Sequence, residues 1–360
     1  MTHIDELAGI GTATWLDDLS RDRIDSGNLE ELLTTKSIVG VTTNPAIFAA
    51  AMTSGTAYDE QIEVLRSEGA DADTAVYAMA VDDVRRACDI FRDTFERTGG
   101  VDGRVSIEVD PRISDDAEAT LVQARELWKR VDRPNLLIKI PATLGSLPAI
   151  TRALSEGISV NVTLIFSCDR YSRVIDAYKE GIRAAAEKGL DVAGIQSVAS
   201  FFVSRLDVEV DRRLEEIGTE AALALRGKAG VANTRLAYDL FRTSFADNGE
   251  LPEGATVQRP LWASTGVKNP DYPATLYVTE IAGPQTVNTM PEPTIDAVLA
   301  EGGLHGDTLT DRAGEAREVL AAVEAVGVDL DDVFAVLERE GVEKFEKSWN
   351  ELLDSMRQRL

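Results

Sequence analysis

Histidine is almost missing from this 360-residue chain: there are two, His3 near the start and His305 in a Gly-rich stretch. Neither stands in a strand-end motif, which disfavours a Ser-His-Asp hydrolase or a His-ligated metal enzyme and leaves proton transfer to carboxylate, lysine or tyrosine. Cysteine is as scarce. Cys88 and Cys168 cannot supply a disulfide framework or a thiolate zinc cluster, and read as ordinary buried thiols. No apolar run approaches the roughly 20 residues of a membrane span, and residues 1–7 are polar and acidic, unlike a secretion signal. The expected compartment is the cytoplasm. Positive charge is short as well: 37 Lys and Arg against 62 Asp and Glu give a formal charge of −25. Such a field repels nucleic acid and anionic membranes, and an anionic small substrate needs a local cluster of cations and backbone N–H groups to bind. No Gly-x-Gly-x-x-Gly follows the first strand and no Walker sequence occurs, which weakens the dinucleotide and nucleotide-hydrolysing versions of an α/β fold.

What is present is a regular alternation of short apolar strands and amphipathic helices. Strands are expected at residues 13–19, 38–45, 104–111, 136–140, 158–166, 195–202 and 259–265. An eighth falls at 276–279 or 287–290, with the second preferred. Helical spacing fills the intervals, as two helices between residues 58 and 95 and single ones near 115–131, 148–154, 170–188, 207–217 and 234–245. About eight βα units favour a closed (β/α)8 TIM barrel, with additional N- and C-terminal helices, over an open sheet. Beyond Thr294 the pattern is helical and acidic, in runs at 319–326, 333–337 and 345–356. The expectation is one domain spanning residues 1–360, with 294–360 as C-terminal helices packed on the barrel.

The run Leu136-Leu137-Ile138-Lys139-Ile140-Pro141 sets an ammonium in an apolar strand. Alternation places Leu137 and Lys139 on one face, and Leu136, Ile138 and Ile140 on the other. A buried lysine either pairs with a carboxylate or gives up its proton and becomes a nucleophile for carbonyls. From this strand alone both readings stand. In the fifth strand Ser159, Asn161 and Thr163 share one face, expected to line a site, and Val160, Val162, Leu164 and Phe166 share the other, expected to meet helices. Collecting the carboxyl ends of all strands, where barrels carry their chemistry, yields Asp17, Thr43, Asn44, Glu108, Lys139, Thr143, Asn161, Thr163, Ser200 and Ser264. Singly these have structural explanations: a helix cap for Asp17 or Asp18, a turn for Asn44, an ion-pair partner of Lys139 for Glu108. Together, an amine, two carboxylates and several hydroxyls and amides are the parts for Schiff-base chemistry on a carbonyl sugar.

Four motifs in order, Val41-Thr42-Thr43-Asn44-Pro45, Ile107-Glu108-Val109-Asp110, Ile138-Lys139-Ile140-Pro141-Ala142-Thr143 and Asn161-Val162-Thr163-Leu164-Ile165-Phe166-Ser167, resemble the transaldolase family of the class I aldolases. The segment Gly283-Pro284-Gln285-Thr286-Val287-Asn288-Thr289-Met290-Pro291 is similar to its long bacterial branch. The resemblance implies transfer of a dihydroxyacetone unit from sedoheptulose 7-phosphate to glyceraldehyde 3-phosphate, with no metal or organic cofactor. It assigns the Schiff base to Lys139 and the acid-base role at the breaking bond to Asp17 rather than Asp18. Glu108 and Thr163 would hold a proton-relaying water, Asn44, Asn161 and Ser200 the dihydroxyacetone hydroxyls, and Arg205 the phosphate. Ser264 carries over from a family Ala-Ser-Phe-Arg, but here the sequence runs Ala263-Ser264-Thr265-Gly266-Val267-Lys268. The second phosphate cation is then Lys268, with a solvated loop lysine as the alternative. Expected partners are phosphorylated sugars, without nucleic acid or membrane, in a monomer or homodimer. Two other readings stand: a class I aldolase that releases dihydroxyacetone, and a barrel that has lost catalysis and serves as a sugar-phosphate sensor or scaffold.

Overall fold

The computed structural model describes residues 2–360, apart from the side chains of residues 248 and 249. Eight strands form the barrel: β1 Thr12–Leu16, β2 Gly40–Val41, β3 Arg104–Glu108, β4 Leu136–Pro141, β5 Val160–Ile165, β6 Ser197–Phe202, β7 Arg259–Ala263 and β8 Thr286–Met290. All neighbours pair in parallel and β8 closes on β1, giving a barrel in simple sequential order. The preferred eighth strand is the one that forms; Leu276–Thr279 is instead a short helical turn. β1, β2, β3 and β7 stop two to four residues short of the sequence expectation, because their polar carboxyl ends open into the loops that carry the site. β2 is shortest. Trp15 fills the barrel interior beside it, and a Cβ on Gly40 would lie 2.6 Å from the indole, so only glycine lets this strand approach.

Side-chain parity follows the pleat. Leu136, Ile138 and Ile140 join the layer between barrel and helices, whereas Leu137 packs inside with Trp15, Val198, Leu261 and Val287. Lys139 therefore points inward on the face of Leu137. In β5 the expectation fails halfway. Leu164 and Phe166 do not meet the outer helices: the β5–β6 register shifts between Val162 and Ile165, and Leu164 takes a left-handed φ of 60°. That irregularity reverses the parity, so Ile165 goes to the outer layer and Leu164 and Phe166 join the inner cluster.

The acidic C-terminal runs at 333–337 and 345–356 are parts of one helix, Leu330–Arg359, of 30 residues. It lies across the mouth of the barrel. A Cβ on Gly341 would come within 3.2 Å of Phe166 and 3.3 Å of Leu164, so a glycine in mid-helix permits the close crossing. Toward its end the helix buries Trp349, Leu352, Leu353 and Met356 in the outer core, with the Trp349 ring 5.1 Å from Tyr77. Ion pairs Arg170–Glu338 at 2.8 Å and Arg213–Asp332 at 2.7 Å tie its first half to the barrel helices. No helix among the described residues is long and apolar enough to cross a membrane.

Candidate active site

Parallel register brings the central residues side by side: Glu108 of β3 pairs with Lys139 of β4, and Lys139 pairs with Asn161 of β5. With the same inward parity, the three side chains meet inside the barrel. The Lys139 ammonium lies 3.0 Å from Glu108 Oε1 and donates to the Thr43 carbonyl at 2.5 Å. The Thr43 hydroxyl donates to Glu108 Oε2 at 2.9 Å. Both charges are buried, with Lys139 5% and Glu108 4% exposed. Burial pushes the Glu108 carboxyl above its usual range, against the pull of the Lys139 ammonium and the two hydrogen bonds it accepts. The ion-pair reading of Lys139 is thus realised in the structure, and its partner is a carboxylate that burial makes a better proton acceptor.

Asn161 is held at both ends: its amide donates to Ser106 Oγ at 3.0 Å and its carbonyl accepts from Ser200 Oγ at 2.7 Å. Thr163, next inward on β5, has a buried hydroxyl with no partner among the described residues. Above this layer lies a cavity of about 250 Å³. Its lining includes Lys139, Asp17, Asn44, Ser200, Arg205, Ser264 and Lys268, seven of the ten residues that the family resemblance singles out. Glu108, Asn161 and Thr163 lie packed beneath. Thr143 is not part of it: its hydroxyl bonds the Ser114 carbonyl and caps Ser146 N at 3.0 Å.

The two acids after β1 separate. Asp17 faces the cavity and accepts from the Thr42 hydroxyl at 2.8 Å, whereas Asp18 pairs with Arg23 at 2.7 Å, outside it. Enclosure by protein raises the Asp17 carboxyl above the usual carboxylate range, opposed chiefly by the Lys139 ammonium. Asn44 does two things at once: its carbonyl caps the helix Pro45–Thr53 by accepting from Ile47 N at 3.0 Å, and its residue lines the cavity. Arg205 follows Ser204, the first residue of the helix Ser204–Ile217, with its guanidinium 4.9 Å from the Phe202 ring and Nη1 buried without a partner. Ser264, at the end of β7, holds a left-handed φ of 55°, pinned by contacts of its hydroxyl and carbonyl with Ser204.

Several residues of the site escaped the sequence reading. Thr42 and Thr289 meet at 2.5 Å below Asp17, and Ser106 orients Asn161. A signal existed for each: inward parity in its own strand. Lys344, Phe345 and Ser348, from the terminal helix, complete the cavity wall. For these the signal is Gly341 together with Phe345 in an otherwise charged stretch, and it shows only once the helix is known to cross the mouth.

Fold and site together define a protein of the class I aldolase type: a closed (β/α)8 barrel with a buried lysine between carboxylates at the carboxyl ends of its strands. Comparison with known proteins is specific. Residues 14–356 match the family model described as Transaldolase/Fructose-6-phosphate aldolase. A transaldolase of Mycolicibacterium smegmatis is 59% identical over 352 residues, covering 97% of this chain and 95% of that protein. Transaldolases of Mycolicibacterium paratuberculosis and Mycobacterium tuberculosis are each 59% identical over 358 residues, covering 98% of this chain and 96% of theirs. The chain belongs to the transaldolase/fructose-6-phosphate aldolase family.

Proposed function

We propose that this chain moves a dihydroxyacetone unit between phosphorylated sugars through a Schiff base on Lys139. Transaldolase activity, within the pentose phosphate pathway, follows from the family and from identity over nearly the whole length. The observation that carries the residue assignment is the buried Lys139–Glu108 pair opening onto a cavity lined by Asp17.

The family reaction can be laid onto these residues step by step. As a ketose carbonyl enters, the Lys139 proton passes toward Glu108, whose burial favours the neutral acid. The free amine attacks C2 of sedoheptulose 7-phosphate. Glu108 and the unpartnered Thr163 hydroxyl are placed to hold a water that returns the proton as the carbinolamine loses its hydroxyl. In the protonated imine, electrons from the C3–C4 bond flow to nitrogen while Asp17 takes the C4 hydroxyl proton. Erythrose 4-phosphate leaves. The three-carbon enamine, held through its hydroxyls by Asn44, Asn161 and Ser200, adds to glyceraldehyde 3-phosphate, and Asp17 returns the proton; hydrolysis of the imine then frees fructose 6-phosphate. Arg205, with Ser264 and Lys268 beside it, binds the phosphate of either ketose or aldose. The released-dihydroxyacetone reaction differs in one event, protonation of the enamine by water, and the terminal helix over the mouth opposes it.

Borohydride reduction tests the assignment. With fructose 6-phosphate present, a three-carbon adduct is expected on the peptide containing Lys139, and an unmodified Lys139 under turnover conditions overturns the reading. Arg205→Ala is expected to raise KM for phosphorylated sugars far more than for fructose; equal effects would make Arg205 structural.

A further inference from the structure

The cavity carries an uneven charge. Its lining holds four cations, Lys139, Arg205, Lys268 and Lys344, against one acid, Asp17, in a chain whose net charge is −25. Apart from Lys139 and Asp17, the charged residues of the lining, Arg205, Lys268 and Lys344, are all cations. Elsewhere on the molecule arginines and lysines are commonly matched to carboxylates. In this lining, Arg205 and the exposed Lys268 form no ion pair within 4.0 Å among the described residues; Asp17 and Glu340 act on Arg205 only at longer range, and its Nη1 is buried without any partner. A Cβ on Gly266 would lie 3.8 Å from Lys268 Nζ, so that lysine folds back over its own loop toward the cavity. A buried guanidinium donor without an acceptor, beside further cations that line the same cavity, calls for an anion.

The fourth cation comes from a different element. Lys344 and Ser348, one turn apart on the helix Leu330–Arg359, reach the same cavity on either side of buried Phe345. The carboxylate that Lys344 meets is Glu340, one turn earlier, at 2.7 Å, in a pair whose side chains are 59% and 43% exposed. Exposed pairs of this spacing are weak, so a doubly charged phosphate readily displaces the partner. A long flexible ammonium also suits the reaction. The substrates proposed above differ in carbon number between the carbonyl and the phosphate, so a phosphate site served by one stacked guanidinium needs adaptable donors to follow the anion.

We propose that Lys344 of the terminal helix is a ligand of the sugar phosphate, closing the site together with Arg205 and Lys268 so that bound phosphate ties the helix to the barrel mouth. The proposal rests on the sugar-phosphate reading of the cavity and extends it to an element outside the barrel. Lys344→Ala is expected to raise KM for fructose 6-phosphate, and the inhibition constant of inorganic phosphate, about 5- to 10-fold. The loss falls on KM rather than on kcat, and KM for unphosphorylated fructose stays within twofold. Lys344→Arg restores most of the affinity. Lys347→Ala removes the same charge from the same helix, 76% exposed and outside the cavity lining, and is expected to match the parent enzyme. Equal effects of Lys344→Ala and Lys347→Ala, or of Lys344→Ala on fructose and fructose 6-phosphate, overturn the proposal. Borohydride labelling of Lys139 in the parent enzyme separates the two levels: if Lys139 labels and Lys344→Ala behaves as Lys347→Ala, the Lys344 assignment alone fails. If Lys139 does not label, the reaction assigned to the site fails first.

Discussion

Replacing Asp207 with asparagine should make this protein more stable at neutral pH, and more so the higher the pH. Asp207 is 1% exposed on the helix after β6, where its carboxylate accepts from Tyr277 Oη at 2.6 Å and Gly230 N at 2.7 Å. Burial nonetheless wins over those donors and pushes the carboxyl from an ordinary 3.8 to about 6. The folded state then binds the proton more tightly than the unfolded chain. Stability from this group is present below about pH 4 and is lost as pH rises through about 6, a total of about 3 kcal/mol. The chain has a pI near 4.5, so the practical window starts at pH 5. Integrating the linkage with these values leaves roughly 1.3 kcal/mol to be lost between pH 5 and pH 7. Asparagine keeps the shape and cannot ionise, so the urea-unfolding free energy of D207N minus that of the parent should grow by roughly that amount over the interval. A difference that is flat with pH, or that shrinks, would show that Tyr277 and Gly230 fully compensate the anion and that the reasoning from burial is wrong. The functional side is separate. Asp207 and Asp211 anchor Tyr277 and Tyr272, which follow the Lys268 loop, so D207N should leave that loop in place through the remaining hydrogen bond and keep KM within about threefold.

Two further outcomes test the role of the terminal helix. Phe345→Ala removes a ring that is 7% exposed in the cavity wall, and should raise severalfold the share of dihydroxyacetone released in a coupled assay while Lys139 still labels with borohydride; an unchanged product ratio would show that the helix does not shield the enamine. Trp349→Ala removes a buried ring packed at a tilt against Tyr77, and should cost about 3–5 kcal/mol in urea unfolding while weakening binding of fructose 6-phosphate. A stability loss below about 1 kcal/mol would mean that the helix is held chiefly by its ion pairs.

The barrel and much of its site were legible because both rest on short-range rules. A strand that alternates, followed by a helix with an apolar stripe, reports its own parity, and that parity set Lys139 on the face of Leu137 and Asn161 on a face expected to line a site before any pairing was known, while Glu108 was found from its place at a strand end. Register then did what sequence cannot: it set these three from different strands beside each other. The rule failed at Leu164, where one left-handed residue reverses the face of everything after it, and a leucine gives no warning of a positive φ as a glycine does. It was silent on the terminal helix for another reason. Helical periodicity identifies a face to bury but not the surface it is buried against: the acidic runs were expected to pack on the barrel, and only the crossing over Leu164 and Phe166 shows that they do so at its mouth.

These two gaps are physically one. The bulge in β5 turns Leu164 and Phe166 toward the mouth, and those side chains form the apolar pad on which Gly341 lets the helix lie close. Without the reversal, the pad would face the outer helices and a helix rich in Glu and Asp would have little to bury at the centre of the barrel. With it, Lys344, Phe345 and Ser348 follow Gly341 within two turns and arrive over Lys139 and Arg205. A single irregular residue in a strand thus joins the buried Trp349 and Leu352 and the ion pairs of the helix in setting an acidic C-terminal helix as a wall of the site. The same contact sets the Phe345 ring and the Lys344 ammonium in the cavity wall, where the proposals above give them their roles.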